Sequence, residues 1–221
     1  MGYNIAIDGP AGAGKSTIAR KLAEKTGFIY VDTGAMYRAM AVYFMEHKID
    51  PMKEEQINKA CKDIHITINY VNEEQIVYLN NENINTKIRR EAVGKMASAT
   101  SGYKQVREHL RQLQQTLAKS SNVIMDGRDI GTCILPEAQL KIYLTASVDT
   151  RAQRRYQQLL DKGEPADLQQ IKKDIKERDE QDMTRKTAPL KQAEDAVLVD
   201  TSAMGIDDVV EFLYKLYEDR I

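Results

Sequence analysis

The chain has 221 residues, enough for one α/β domain with elaborations or for two small domains. Its 32 basic and 33 acidic residues give a formal net charge of -1, which argues against a protein that binds nucleic acid through bulk positive charge. No apolar run approaches the ~20 residues of a membrane span, and Cys61 and Cys133 match no metal or redox motif. We therefore expect a cytoplasmic monomer with small-molecule substrates and no membrane or nucleic-acid partner.

The first predicted strand, Tyr3–Ile7, leads into a glycine-rich loop that is followed by a predicted helix, Ser16–Lys25. Residues 9–16 read GPAGAGKS, which matches the phosphate-loop pattern G-x-x-x-x-G-K-[ST] in its required strand–loop–helix context. Such a loop binds a nucleoside triphosphate through backbone N–H groups and the helix N-terminus. Lys15 is expected to reach the β- and γ-phosphates, and Ser16 to bind Mg²⁺.

Strands and helices alternate along the chain, which predicts a five-stranded parallel sheet with flanking helices. The other predicted strands are Phe28–Val31, Val123–Met125, Lys141–Leu144 and Val197–Val199. The other predicted helices are Gly34–Glu46, Arg89–Ser98, Tyr103–Lys119, Asp149–Asp161, Leu168–Thr184 and Ile206–Tyr217.

Two segments depart from this alternation. Residues 63–86 alternate apolar and polar positions between Asn-rich turns, which predicts an inserted antiparallel β meander. Residues 162–166, KGEPA, separate two charged helices and either hinge a mobile lid or form a plain surface loop.

An acidic and basic cluster, Asp126-Gly127-Arg128-Asp129, directly follows the predicted strand Val123–Met125. Ligands of open parallel sheets bind at the carboxyl ends of the strands. Asp126 therefore has the position of an aspartate that holds Mg²⁺ or its water beside a phosphate loop. A common Asp-Gly turn would give part of the same pattern.

Arginines are concentrated on the two predicted helices that precede the last one, Asp149–Asp161 and Leu168–Thr184. Arg178, Asp182 and Arg185 are spaced i, i+4, i+7 and are predicted on one helix face, and Arg151, Arg154 and Arg155 lie within one turn. Each set is either a surface ion-pair array or a positive surface for phosphate groups, which arginine forks bind bidentately.

Five segments taken in order resemble the bacterial-type cytidylate kinases, within the nucleoside monophosphate kinases, over essentially the whole chain. They are GPAGAGKST at 9–17, DTGAMYR at 32–38, DGRDIGT at 126–132, Arg151–Arg155, and KERDEQD at 176–182 with Arg185 and APL at 188–190. The resemblance implies a core at residues 1–62 and 87–221, a lid at about 155–170, and an insert at 63–86 that belongs to the monophosphate-binding part.

The resemblance also implies roles for individual residues. The donor nucleotide would be bound by Gly9, Pro10, Ala11, Gly12, Ala13, Gly14, Lys15, Ser16 and Thr17. Catalytic roles would fall to Lys15, Arg128, Arg154 and Arg185, and metal binding to Ser16 and Asp126. Arg38, Arg128 and Arg185 would bind the acceptor phosphate, Arg178 and Asp182 the ribose, and Thr33, Ser98, Arg107 and Asp129 the base and nearby atoms. Position 33 is often Ser in the family, and Thr33 keeps the hydroxyl.

The chemistry of the base supports this assignment independently. A carboxylate such as Asp129 accepts from the exocyclic amino group of cytosine, and an arginine such as Arg107 donates to its ring acceptors. The expected reaction is transfer of a phosphoryl group from ATP to CMP or dCMP, with Mg²⁺. One rival is a small-metabolite kinase of the shikimate or dephospho-coenzyme A type. A regulatory GTPase is disfavoured, since Asn58-Lys59-Ala60-Cys61 lacks the Asp of an N-K-x-D segment.

Overall fold

A computed structural model describes residues 2–72 and 74–221 of the chain. Residues 1 and 73, which fall in the ranges predicted for the core and the insert, lie outside the described residues.

The predicted apolar strands form one parallel sheet, which confirms the fold class. The strands in chain order are β1 (Asn4–Asp8), β2 (Ile29–Asp32), β3 (Ile66–Val71), β4 (Glu74–Leu79), β5 (Glu82–Asn83), β6 (Val123–Gly127), β7 (Leu140–Thr145) and β8 (Val197–Asp200). Five of them make a sheet of order β2-β6-β1-β7-β8, in which all neighbours are parallel. The carboxyl ends of β1, β2 and β6 are therefore adjacent, where the phosphate loop and the Asp126–Asp129 cluster begin.

The predicted helices are also present, with ends shifted by at most two residues. The helices in chain order are α1 (Lys15–Thr26), α2 (Thr33–Glu46), α3 (Glu54–Ala60), α4 (Glu91–Thr100), α5 (Lys104–Ser120), α6 (Val148–Asp161), α7 (Leu168–Thr184) and α8 (Ile206–Glu218). The predicted start of α4 at Arg89 is wrong, because Lys87–Arg89 forms a separate tight turn before it. The sequence prediction missed α3, whose seven residues have no side-chain cap at Lys53.

Helices cover both faces of the parallel sheet. One apolar cluster joins it to α2, α4, α5 and the insert, and includes Phe44, Leu110 and Met125. A second cluster joins it to α1 and α8, and includes Leu22 and Leu213. Parallel strands are buried on both faces in such a layered arrangement, which is why these strands read as continuous apolar runs.

The inserted meander is an antiparallel sheet of order β3-β4-β5, as its alternating pattern predicts. Val77 and Leu79 of β4 are buried in the cluster beneath α2, so the insert shares its core with the main body.

Helices α6 and α7 pack against each other through a small apolar cluster of Ala152, Leu159 and Ile171. The residues between them include Gly163, whose φ of 71° ends α6 in the left-handed region. Whether this connection hinges a lid stays a prediction.

Candidate active site

The phosphate loop joins the end of β1 to the start of α1. A Cβ at Gly9 would lie 1.9 Å from the carbonyl oxygen of Leu144, and Gly14, with φ of 91°, directly precedes the helix. Both positions need glycine, because one has no room for a side chain and the other adopts a left-handed backbone. The loop therefore has the strand–loop–helix setting that its sequence predicts.

Lys15 is buried at the first residue of α1, and its Nζ donates to the carbonyl oxygen of Pro10 at 2.8 Å. Burial, followed by the positive charges of Arg128 and Arg178, lowers the pKa of Lys15 from its ordinary value of 10.5 to about 7. An anionic ligand that pairs with the ammonium would reverse this shift.

Ser16 and Asp126, the two residues predicted to bind Mg²⁺, lie in contact. Ser16 Oγ donates to Asp126 Oδ2 at 2.9 Å, and the hydroxyl of Tyr30 donates to Asp126 Oδ1 at 3.0 Å. Burial and the nearby charge of Asp32 raise the pKa of Asp126, so this carboxylate gains from a cation beside it. Among the described residues no group of three or more His, Cys, Asp or Glu side chains could hold a metal by itself. A hydroxyl and one carboxylate fit Mg²⁺, which keeps waters and phosphate oxygens as its other ligands.

Asp8 fixes the turn that follows β6. Its Oδ1 and Oδ2 accept from the backbone N–H groups of Ile130 and Gly131, both at 2.7 Å. Burial nevertheless raises the pKa of Asp8 to about 6. The same residue immediately precedes the phosphate loop, so it connects that loop to the turn that carries Asp129.

The guanidinium groups of Arg128 and Arg178 lie near Lys15, and that of Arg38 lies near Arg178. Arg178 of α7 is half-buried and close enough to Arg128 and Arg38 that loss of solvent and these charges lower the pKa of Arg178 to about 10. Its Nε has no hydrogen-bond partner within the described part of the chain. Arg128 pairs with the carboxylate of Asp182, at 2.8 Å between Nε and Oδ2. Such crowding of positive charge is costly unless an anion binds there.

A second buried cluster surrounds Asp129. Arg107 of α5 forms an ion pair with Asp129 Oδ2, and Arg185 Nη2 lies 3.4 Å from Asp129 Oδ1. The Arg107 guanidinium also lies over the ring of Tyr37, with Cζ 5.6 Å from the centroid. The cluster thus presents a carboxylate, fixed arginine donors and an aromatic ring next to one another.

Three predicted residues lie around these clusters with partners of their own. Thr33 is buried and its hydroxyl donates to the carbonyl oxygen of Asp126 at 2.6 Å. Ser98 Oγ donates to Gln181 Oε1 at 3.2 Å, which ties α4 to α7. Arg154 donates to the carbonyl oxygen of Thr201 at 2.8 Å, and one of its Nη atoms would lie 4.0 Å from a Cβ at Gly14.

Two expectations from the arginine spacing are wrong in part. Arg185 does not continue the helix face of Arg178 and Asp182, because α7 ends at Thr184 and Arg185 has an extended ψ of 141°. Arg151 is no member of a free positive surface: it donates to both carboxylate oxygens of Asp179 and to the carbonyl oxygens of Ala11 and Ala146. Arg151 lies opposite a carboxylate on another helix, which the spacing along its own helix does not reveal.

The family model for cytidylate kinase matches residues 5–219. The chain belongs to the cytidylate kinase family. It is therefore a phosphotransferase of the kinase class, and its family uses ATP as phosphoryl donor. It is 49% identical to a cytidylate kinase of Shouchella clausii over 219 residues, 99% of this chain and 97% of the relative. A cytidylate kinase of Caldicellulosiruptor bescii is 47% identical over 222 residues, covering 99% of this chain and 98% of the relative.

A solved structure of an uncharacterized protein from Eubacterium ventriosum shares the fold. It aligns over 99% of both chains with a TM-score of 0.56 and 13% identity. The described part of the chain contains no helix that combines the length and apolar character of a membrane span.

Sequence reasoning overlooked several residues that shape this kinase site. Asp8 accepts hydrogen bonds from the turn after β6. Tyr30 donates to Asp126, and Asp179 accepts from Arg151. A carboxylate at the end of an apolar strand was the signal that singled out Asp126, and the same signal applies to Asp8. Tyr30 and Asp179 gave no comparable signal, because their partners are 96 and 28 residues away.

Proposed function

We propose that the chain transfers the γ-phosphoryl group of ATP to CMP or dCMP with Mg²⁺, giving ADP and CDP or dCDP. The observation that carries this proposal is the Asp129–Arg107 pair, buried at the same sheet edge as the phosphate loop.

The donor side rests on the phosphate loop. Residues 9–17 would cradle the triphosphate, with Lys15 pairing the β- and γ-phosphates. Ser16 and Asp126, 2.9 Å apart, would hold Mg²⁺, which when bound neutralises charge on the phosphates. Arg154 lies beside Gly14 and would approach the triphosphate from α6.

The acceptor side rests on the crowded guanidinium groups. Arg38 and Arg128 would bind the acceptor phosphate, and the unpartnered Nε of Arg178 supports a third cation for the same anion. The proximity of Arg178 to Lys15 favours this role over the ribose contact that the family resemblance implies. Arg185 contacts Asp129 and Asp182, so it would join the phosphate and base regions.

The base would be read by Asp129 and Arg107, with Thr33 and Ser98 nearby. The Asp129 carboxylate accepts from the cytosine amino group. Uracil has a carbonyl in place of that amino group, so two acceptors would face each other in a site that excludes water. Such an unsatisfied contact costs about 1–3 kcal/mol, which favours CMP over UMP.

The reaction itself needs placement and positive charge more than proton transfer. The acceptor phosphate is already anionic, so no general base is required. Charge on the equatorial oxygens of the transferred group would be stabilised by Lys15 and by the arginines around it.

The decisive experiment is a coupled assay of ADP release over a panel of monophosphates, shikimate and dephospho-coenzyme A, with Lys15→Ala and Lys21→Ala compared in the same assay. We expect CMP and dCMP as best acceptors and a loss of at least about 10³-fold in turnover for Lys15→Ala, because a charge that stabilises the transition state is removed. Lys21 lies on the same helix with its Nζ on Asp207, so its variant should match the parent.

Preference for a small metabolite would overturn the proposal, and so would Lys15→Ala activity within tenfold of the parent at an unchanged melting temperature. The monomeric state, the division into core, insert and lid, and a cytoplasmic location stay predictions.

A further inference from the structure

The side-chain amide of Gln75, on strand β4 of the insert, forms two hydrogen bonds with the backbone of the parallel sheet. Strand β2 is at the edge of the sheet, where β6 is its strand partner. Gln75 Oε1 accepts from the backbone N–H of Asp32 at 2.9 Å, and Gln75 Nε2 donates to the carbonyl oxygen of Asp32 at 3.1 Å. The primary amide thus satisfies both backbone groups that a neighbouring strand would otherwise pair.

Gln75 is itself held on a fixed element. Its carbonyl oxygen accepts from Asn85 Nδ2 at 3.1 Å, and Asn85 Oδ1 accepts from the backbone N–H of Val77 at 2.8 Å. The side chain of Val77 is buried in the core beneath α2. The amide of Gln75 is therefore presented by a braced strand that cannot shift without disturbing the core.

Asp32, to which Gln75 is hydrogen-bonded, directly precedes the helix that carries residues proposed to bind the acceptor nucleotide. Asp32 caps α2, since its Oδ1 accepts from the backbone N–H of Ala35 at 2.9 Å. Thr33 follows directly and donates to the carbonyl oxygen of Asp126, while Tyr37 and Arg38 lie one turn further along α2. Displacement of Asp32 would move the start of this helix, and with it residues on both clusters of the site.

We propose that Gln75 is a positioning residue through which the β insert sets the start of α2 and hence the affinity for the acceptor nucleotide. This inference rests on the proposed function. It gives the insert a role in substrate binding beyond its contribution to the core.

The chemistry of the amide makes the inference specific. Gln75→Met keeps nearly the same length and volume but removes both hydrogen bonds, so packing of the insert is retained. Gln75→Glu keeps an acceptor for the Asp32 N–H but places a second acceptor against the Asp32 carbonyl, which leaves an unfavourable contact. The neighbouring Glu74 is exposed and serves as control through Glu74→Gln.

The test compares Gln75→Met, Gln75→Glu and Glu74→Gln with the parent. Steady-state assays give KM for CMP and for ATP, and hydrogen exchange by NMR follows the Asp32 amide. Because Gln75→Met removes both hydrogen bonds, we expect it to raise KM for CMP and the exchange rate of the Asp32 amide at least about fivefold. Gln75→Glu keeps the acceptor for the Asp32 N–H, so it should raise KM for CMP with a smaller change in the exchange rate. KM for ATP should stay within about twofold, and Glu74→Gln should match the parent.

Unchanged exchange of the Asp32 amide in Gln75→Met would overturn the inference, as would equal effects on KM for CMP and ATP in either Gln75 variant. If a Gln75 variant fails to fold, the other decides, and failure of both would show that Gln75 serves stability instead. If the parent prefers another monophosphate, the proposed function fails, while the same comparison with that monophosphate still decides the role of Gln75.

Discussion

Asp129 does not pair with Arg128, its neighbour in sequence. Arg128 pairs with Asp182, whereas Asp129 pairs with Arg107 and Arg185. A carboxylate fixed by two arginines beside the ring of Tyr37 is oriented for a third contact.

The preference for CMP over UMP should fall in Asp129→Asn. An amide can turn its donor toward the uracil carbonyl, whereas the carboxylate accepts from the cytosine amino group. We expect the loss mainly in kcat/KM for CMP, measured in parallel for both nucleotides. A ratio retained within about threefold, well below the tenfold change that 1.4 kcal/mol would give, would show that Asp129 does not read the base.

At the residue scale, the sequence identifies chemistry that lies in contiguous motifs. The phosphate loop and the Asp126–Asp129 cluster could be recognised because spacing along the chain fixes their geometry. The partners of Arg128 and Arg151 could not, since they are 54 and 28 residues away on α7 and pair only after the helices pack.

Helices α6 and α7 are joined to the phosphate loop by one buried arginine. Arg151 contacts Asp179 on α7 and the carbonyl oxygen of Ala11 in the loop, and its side chain is 4% exposed. Arg151 therefore links the positions of α6 and α7 to that of the phosphate loop.

Arg151→Ala should destabilise the protein by about 3–5 kcal/mol, because it leaves Asp179 as an uncompensated buried charge. Urea denaturation measures this loss. The half-buried Arg155, one turn further along the same helix, supplies the control Arg155→Ala, for which we expect at most about 1 kcal/mol. Similar losses in the two variants would mean that the Arg151–Asp179 pair contributes no more than a surface charge.

At the element scale, the sequence predicts long periodic segments well. The five parallel strands and the helices around them follow from apolar runs and helical spacing, as does the meander from its alternation. The short helix Glu54–Ala60 was missed, because seven residues give too few periods and no capping signal. The anchoring of the meander through Gln75 depends on a tertiary contact that no local pattern reports.

For the whole molecule, the balance of buried charge makes stability depend on pH. The pKa of Lys15 is about 7 in the folded protein and near 10.5 in an exposed chain. Between these pH values the unfolded chain binds a proton on Lys15 that the folded protein does not. The contribution of Lys15 to the free energy of unfolding is therefore unfavourable near pH 7 and becomes less so as the pH rises.

Lys15→Met should therefore be more stable than the parent without nucleotide, and its advantage should shrink from pH 7 to pH 9.5. The slope should approach about 1.4 kcal/mol per pH unit, the value for one proton. Urea titrations of both proteins at matched ionic strength measure the two free energies of unfolding at each pH. Subtracting one from the other removes the contributions of titratable groups that both proteins share. A difference independent of pH would show that Lys15 keeps an ordinary pKa.

The crowding of positive charge among Lys15, Arg128 and Arg178, with Arg38 beside Arg178, also bears on how long the protein survives in a cell. Whatever binds the native state alone stabilises it by mass action, and an anion that relieves this repulsion does so strongly. A fall in nucleotide levels would then expose more of the chain to proteases, since degradation follows the fraction that opens. The abundance of the enzyme would in this way follow the supply of its own substrates, without any dedicated regulator.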